Sequence, residues 1–406
     1  MSVSPLREFA MQEALREQEI ILAFKEAAIL QATQNAPVTR DEGDGYLLPR
    51  FIHPYLKWSG EYNDNIFLIH ENVQKDIVNK FSPGVVVSFT ELNPSAQRDN
   101  RILLDLGVNL DYYSRYDHLN GEYPYGKLLV DLGGKRNKLH LSQVYEKNYA
   151  LNSSLVAGSS GISNYHNSDT RFGWESAFNR FGFNVEGGRW YQEYMKDEFK
   201  SQSTYEEQMY AGSVFLQAFP KTRFFLGYNF GWIDYPKRAF KGLNNHYERV
   251  WLGVRGMISK KISGLIKIGT ESRNYKDDVD SQNDIAYSID LNYKATRKTL
   301  WKLQFSKGNK DPSYVKESFD KGIDTAIGFS YRFNNHLSWS ANGSFSKDRY
   351  ASSRQDQSHS LSHRLDYTYS KWLRLYLGYR YRWRDSNEVT SEYVNNTGEL
   401  GGALVF

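Results

Sequence analysis

The sequence predicts an all-β fold: a transmembrane antiparallel β-barrel of about 18 strands, of the outer-membrane type, preceded by a short N-terminal helical extension. Three observations carry that expectation. The first is the stretch Lys221–Tyr235, KTRFFLGYNFGWIDY. Side chains of a strand alternate between faces, so Thr222, Phe224, Leu226, Tyr228, Phe230 and Trp232 share one face. Arg223, Phe225, Gly227, Asn229, Gly231 and Ile233 share the other. A soluble sandwich would pack an aliphatic face inward, whereas an aromatic face opposed to a mixed, glycine-bearing one suits lipid on one side and water on the other. The second is composition. Aromatic residues make up 15% of the chain, with 30 Tyr, yet mean hydropathy is −0.64. Alternating lipid-facing and water-facing positions give that combination, and no apolar run reaches the length of a membrane-crossing helix. The third is the alternation of short and long connections along the whole chain.

Taken in order, residues 1–48 differ from the rest of the chain. Ser4-Pro5 has the form of a helix start, with Ser as N-cap and Pro in the first turn. Leu6 to Gln34 is rich in Ala, Glu, Leu and Gln without Gly or Pro, and is expected to be helical. Its most apolar stretch, ILAFKEAAIL, is interrupted by Lys25 and Glu26 and does not read as a signal peptide. Asn35 to Gly45 reads as a polar linker. The segment 1–48 is expected on the periplasmic side, and 49–406 as the barrel.

Candidate strands begin near residues 53, 76, 100, 124, 137, 165, 180, 204 and 221, and then near 245, 261, 283, 298, 320, 335, 357, 371 and 395. Short connections include Gly134–Asn137, Asn179–Phe181, Phe219–Thr222 and Phe333–His336. Long ones include Arg115–Tyr123, Asn148–Asn164, Pro236–Asn245 and Asp385–Tyr393. One long connection, Leu92–Asn100, falls out of phase. Short turns toward the periplasm and long loops outside give a barrel with both termini periplasmic. The chain closes on GELGGALVF, where Leu400, Gly402, Leu404 and Phe406 share a face. A terminal aromatic on such a strand looks like the signal that outer-membrane insertion machinery reads.

The same parity assigns faces elsewhere. With Ile102, Leu104, Leu106, Val108 and Leu110 outward, Asp105, Asn109 and Asp111 point inward. With Val250, Leu252 and Val254 outward, Arg249, Trp251, Gly253 and Arg255 point in. Ile285, Tyr287, Ile289, Leu291 and Tyr293 outward leave Asp284, Asp290 and Asn292 inside. Leu373, Leu375, Leu377, Tyr379, Tyr381 and Trp383 outward leave Arg374, Tyr376, Gly378, Arg380 and Arg382 inside. A charge at mid-membrane on the lipid face costs about 2–4 kcal/mol, which is what fixes these assignments. The candidate pore-lining residues are thus Asp105, Asn109, Asp111, Arg249, Trp251, Arg255, Asp290, Arg374, Tyr376, Arg380 and Arg382. Charge rings set pore selectivity, and aromatic platforms with polar neighbours suit sugars. Cross-bracing of the interior by hydrogen bonds and ion pairs is the plainer role for each of them.

No catalytic constellation is present, and the chain is not expected to be an enzyme. There is no Cys, hence no disulfide or thiolate site. There is no HExxH, and His359 and His363, four apart on a strand, stand about 13 Å from one another, too far for one metal. Leu361 and Leu365 share their face, which places both His near the rim. Ser360 and Ser362 alternate to the other face, against a surface lipase. Gly133-Gly134-Lys135 reads as a turn rather than a phosphate loop. Asp277, Asp278, Asp280 and Asp284 form an acidic stretch that is solvated rather than metal-holding. No cofactor is expected, and a net charge of +4 gives no reason to expect nucleic acid.

At Lys57–Leu68, KWSGEYNDNIFL, the chain resembles the second β-barrel porin family of outer-membrane proteins. The likeness rests on Tyr62, Asn63, Asp64, Asn65, Ile66 and Phe67. It continues with Ser82-Pro83-Gly84 and the adjoining valines, and with Leu106, Asn109, Asp111, Tyr112, Tyr113 and Tyr116. It covers roughly residues 50–406. The resemblance implies a barrel often associated with exopolysaccharide secretion, acting beside a periplasmic polysaccharide export protein. It brings no catalytic residues. The first functional expectation is therefore an export conduit for an exopolysaccharide, set in outer-membrane lipid and lipopolysaccharide. The alternative is an uptake porin for small hydrophilic solutes or oligosaccharides, with the Ser- and Gly-rich Asn148–Asn164 stretch folded in to narrow it. A third reading is a surface scaffold whose loops are the active part, although the loops are of modest length.

Overall fold

Strands long enough to cross a bilayer at a tilt make up most of the computed structural model, which describes residues 51–89, 100–134, 136–151, 162–196, 200, 204–237, 244–276, 281–310, 320–350, 353–370 and 372–406. In chain order they are β1 (Ile52–Asn63), β2 (Asp76–Ser88), β3 (Arg101–Tyr113), β4 (Gly121–Gly133), β5 (Asn137–Leu151) and β6 (Ile162–Phe178). Next come β7 (Phe181–Tyr194), β8 (Tyr205–Phe219), β9 (Thr222–Asp234), β10 (Asn245–Met257), β11 (Ile262–Tyr275) and β12 (Gln282–Tyr293). The last six are β13 (Thr299–Lys310), β14 (Asp320–Arg332), β15 (Leu337–Tyr350), β16 (Gln355–Thr368), β17 (Leu373–Ser386) and β18 (Tyr393–Val405). The shortest has 12 residues and the longest 17, against the roughly 9–11 that a tilted strand needs to span the hydrocarbon core. The helix and linker expected within residues 1–48 lie outside the described residues, as does most of the Leu92–Asn100 connection.

Each strand pairs antiparallel with its neighbours in sequence, and β18 returns to β1 over Tyr55↔Val405 to Asn63↔Thr397. The sheet is closed, so every strand has a partner on each side, the condition for putting strands in lipid. Strand starts fall within three residues of the sequence-based positions. The largest offsets are at β4, which begins at Gly121 rather than 124, and β6, which begins at Ile162 rather than 165. Both strands project past the point where apolar alternation stops, because their outer rows face headgroups and water rather than hydrocarbon.

Local chemistry explains the irregular points. Phe178↔Phe181 leaves a two-residue hairpin turn, and Asn179 takes φ 57° there, a left-handed conformation that Asn tolerates and tight hairpins require. The β2–β3 register runs through Phe81↔Leu110 and resumes at Gly84↔Gly107. The interruption sits at Pro83, which has no N–H to give. Beside it, Ser82 Oγ donates to Asn109 Oδ1 at 2.8 Å. On the inner face, the Tyr55 ring lies across Gly84 and the Tyr247 ring across Gly231, where any Cβ would collide with the ring. The glycines of the aromatic strands thus make room for rings laid flat along the wall.

The apolar face is outside. Phe224, Leu226, Tyr228 and Trp232 are all exposed, as are Leu375, Leu377 and Tyr379. Aromatic residues gather where this face meets each boundary. Phe178, Phe181, Phe219, Phe333, Tyr369 and Trp372 are exposed at the short-turn end, and Tyr62, Tyr112, Tyr145 and Trp232 toward the long-loop end. Two such belts are what headgroup levels select. His359 and His363 are on this outer face, but only His359 is toward the rim. His359 stacks on Trp383 at 4.2 Å, while His363 lies nearer mid-strand and stacks on Trp339 at 5.9 Å. The expectation that both sit at the rim is corrected: ring stacking supplies each imidazole with an apolar partner in the lipid-facing layer.

The closing seam has its own fastening. Asp64 Oδ1 accepts from the Asn396 backbone N–H at 2.6 Å, and its Oδ2 from Asn396 Nδ2 at 2.7 Å. Asn395, wholly buried, donates to Asn63 Oδ1 at 2.6 Å and accepts from Arg382 Nη2 at 2.8 Å. Asn65 Nδ2 donates to the Val394 carbonyl at 2.9 Å. The Asn63-Asp64-Asn65 run therefore ties the first strand to the last, 332 residues apart for the Asp64–Asn396 bonds.

Candidate functional site: the inner wall of the barrel

The pairing register assigns the inner wall all the way round. Asp105 opposes Lys127 on β4, and Asn109 opposes Tyr123. Arg249 opposes Asn229 on β9 and Glu271 on β11, and Trp251 opposes Gly227 and Gly269. Asp290 opposes Leu265 and Gln304. Arg374, Tyr376, Arg380 and Arg382 oppose Ala403, Gly401, Thr397 and Asn395. Directly opposed residues share a face, so Asp105, Asn109, Asp111, Arg249, Trp251, Arg255, Asp290, Arg374, Tyr376, Arg380 and Arg382 all stand on the inner side. They do not form one cluster: Arg249 and Arg255 are on β10, seven strands from Arg374 on β17.

Four networks organise that wall. In the first, Tyr55 Oη donates to Asp105 Oδ1 at 2.7 Å, and the Tyr55 and Tyr125 hydroxyls are hydrogen-bonded to each other. Asp105 is 3% exposed, so these bonds take the place of the water it gave up. In the second, Lys80 opposes Asp111 and forms an ion pair with Glu61 at 2.7 Å. Glu61 faces Glu399 directly across the closing seam. Like charges so placed repel, and the cationic neighbours Lys80, Arg380 and Arg382 answer that repulsion. Tyr376 Oη donates to Glu399 at 2.7 Å, and the Arg364 guanidinium stacks 3.7 Å above the Tyr376 ring.

The third network is the most deeply buried. Arg249 Nε donates to Glu271 Oε2 at 2.9 Å, and Arg273 Nη2 lies 3.2 Å from Oε1. Glu271 and Arg273 are each 2% exposed. Tyr247 lies beneath both guanidinium groups and donates to Glu207 at 2.7 Å. It packs with Trp190, Tyr205, Ile233 and Tyr235 in an aromatic cluster toward the long-loop end. The fourth joins Arg354 to Asp356 at the β15–β16 loop, with Tyr350 beneath the guanidinium. Burial works against the Arg354 charge. The hydrogen bond and attraction of Asp356 outweigh it and raise the guanidinium pKa above its ordinary value.

Sequence parity points to one member of several networks and not to its partner. Glu61, Lys80, Glu271, Arg273, Tyr55 and Asn395 were all on inward positions, and the pattern IKIGTESRNY carries Glu271 and Arg273 on one parity. No group of His, Asp or Glu that could hold a metal occurs among the described residues. The acids Asp277, Asp278 and Asp280 lie outside them, as does 152–161 within the stretch read as a narrowing loop. Ser360 and His359 occupy opposite faces, so no nucleophile–base pair forms there.

A closed barrel with an apolar outer belt, a polar inner wall and a seam fastened by the Asn63–Asn65 run is the setting for the comparison with known proteins. A family model described as "Putative beta-barrel porin 2" matches residues 50–404. The chain belongs to that family. It is an outer-membrane β-barrel of the porin-channel type. No curated protein matches this porin-family chain. Among solved structures it is similar to Pseudomonas aeruginosa OccK2 (OpdF) in complex with glucuronate, at 10% identity and a TM-score of 0.47, covering 87% of this chain and 98% of that one. Acinetobacter baumannii OccAB3 gives 11%, 0.45, and 87% and 99% coverage. A mutant of the ferric enterobactin receptor PfeA of Pseudomonas aeruginosa gives 7%, 0.45, and 87% and 80%. Likenesses of this size carry no argument about the solute.

Proposed function

We propose that this porin-family barrel is a diffusion channel for small hydrophilic solutes, short oligosaccharides included, with its short turns and both termini toward the periplasm. One observation carries the reading: toward the long-loop end the charged and aromatic side chains of the inner wall are buried against one another. Asp111, Tyr123, Trp190, Tyr247, Glu271, Arg273, Asp348 and Asp356 are all buried. Side chains lining a wide, water-filled bore would stay exposed, whereas mutual burial leaves a narrower polar passage. Farther toward the short turns, Asn342 and Arg255 are exposed on the same wall. The polymer-export reading that the family resemblance suggests needs a bore that passes a hydrated chain, and the cross-bracing argues for the smaller solute.

Liposome swelling tests this. Purified protein is expected to admit pentoses and hexoses well above protein-free vesicles, with rates falling steeply from mono- to tetrasaccharide and no entry of long dextran. Absence of swelling with every solute would reject the channel. Entry of long dextran at a rate comparable to the hexoses would reject the size limit and favour export.

A further inference from the structure

Charge is distributed unequally between the two ends of the barrel. Toward the long loops the inner-wall guanidinium groups are matched: Arg249 and Arg273 share Glu271, and Arg354 holds Asp356. Toward the short turns they are not. The seven short connections, from β4–β5 through every second pair to β16–β17, contain no Asp or Glu. Exposed cations recur along them, with Arg136, Arg180, Lys221, Lys260 and Arg297 on five successive turns. Lys261 Nζ donates to the Ala295 carbonyl and Lys298 Nζ to the Phe333 carbonyl, each at 3.0 Å. Those two ammonium groups are thus held against the next turn without meeting a negative charge. The longer β2–β3 connection differs, with Glu91 and Asp99 beside Arg98.

The inner wall carries the same excess into the bore. Arg255 opposes Arg223 on β9 and Leu265 on β11, and Lys302 opposes Asn292 and Gly328. Arg332 opposes Ser338, and Lys138 opposes Glu175. These four cations are on the inward parity, close to the short-turn ends of their strands, and all are exposed. None of them forms an ion pair among the described residues. The acids nearest this end are already engaged. Glu175 takes Arg223 at 2.8 Å, Asp131 takes Arg101 at 2.7 Å and Asp366 takes Arg364 at 2.9 Å. Asp290 accepts from Gln304 Nε2 at 2.9 Å. At normal strand spacing about 14 Å of wall separates β10 from β13, so the fields of Arg255, Lys302 and Arg332 overlap where the Debye length is about 10 Å.

Resting on the channel reading above, we propose that the short-turn mouth is an anion-concentrating vestibule, and that the solutes it favours are small organic anions bearing carboxylate or phosphate. A mouth lined by one sign of charge and walled by low-dielectric protein raises the local concentration of the opposite ion. Rings of Lys and Arg are the arrangement that selects anions in pores. Exposed ammonium and guanidinium groups keep their water, so they gather anions without gripping them, and passage needs release as much as entry. The paired charges toward the long loops largely cancel one another, which leaves this mouth as the selective element. Residues 1–48 join the wall at the same end with eight Asp and Glu against four Lys and Arg, so the full chain is the object to measure.

The test is the reversal potential of the full chain in a planar bilayer under a KCl gradient, repeated with potassium gluconate. Chloride is expected to be more permeant than potassium by about threefold or more, and the ratio to rise as ionic strength falls. Gluconate is expected to carry current as well. Lys138→Gln, Arg255→Gln, Lys302→Gln and Arg332→Gln combined are expected to bring the chloride-to-potassium ratio to about one while currents persist. Heat-modifiable migration on gels checks that the variant is folded; if it is not, Arg255→Gln and Lys302→Gln are measured singly, each with a smaller fall. Currents that favour potassium, or neither ion, overturn the vestibule and leave the channel. An anion preference that survives in the folded variants overturns its assignment to these residues. Chloride current without gluconate current overturns the solute class. Absence of any current rejects the channel reading and the vestibule with it.

Discussion

Leu377→Arg is expected to lower folding stability by about 2–4 kcal/mol, the cost of a charge placed on the lipid face near the bilayer midplane. Leu377 is 57% exposed, in the middle of β17, and opposes Leu365 and the exposed Leu400. Its neighbours in sequence, Tyr376 and Gly378, belong to the inner wall, so the prediction depends on the face rather than the region. Asn342→Lys is the matched control, because Asn342 is an exposed inner-wall residue between Gly328 and Ser362. It is expected to stay within about 0.5 kcal/mol of wild type. Equilibrium unfolding in denaturant from lipid vesicles reads both. A large loss at Asn342 with little at Leu377 would invert the assignment of faces.

Removing Glu271 is expected to cost about 3–5 kcal/mol in Glu271→Ala, because Arg273 then stays buried without its carboxylate. Arg249 and Tyr247 would be disturbed too, since both guanidinium groups are held over the Tyr247 ring around that one acid. Glu271→Gln keeps the volume and one acceptor and is expected to fall between the two. Unchanged unfolding in Glu271→Ala would mean that water already screens the network and that it does not brace the passage.

How much of the molecule is legible in its sequence is set by the periodicity of strands. Parity needs only one chain segment, so the outward faces of Phe224–Trp232 and Leu373–Trp383 and the inward positions of Arg249 and Asp290 could be read directly. What parity does not contain is register, which is set between strands. Nothing in KWSGEYNDNIFL says that Asp64 will receive two hydrogen bonds from Asn396, or that Glu61 will face Glu399. Those contacts exist only once β18 closes on β1. Tyr55, Asp105 and Tyr125 likewise sit on three strands, two of them not adjacent, and meet because Gly84 and Gly107 let the rings lie flat. His363 lies deeper than parity alone implies, for the opposite reason. Its polarity argued for the rim, and stacking on Trp339, a cross-strand contact, is what keeps it deeper.

On the function proposed above, the inner wall of the closed barrel is the water-filled passage. Because the chain has no Cys, single cysteines report without background. The most direct measurement is ionic current across a planar bilayer carrying Asn342→Cys or Leu377→Cys, before and after a bulky charged methanethiosulfonate reagent. Discrete channel currents that fall on reaction of the Asn342 variant, and hold steady in the Leu377 variant, are the predicted result. Currents that ignore the reagent at position 342, or that never appear, would contradict it.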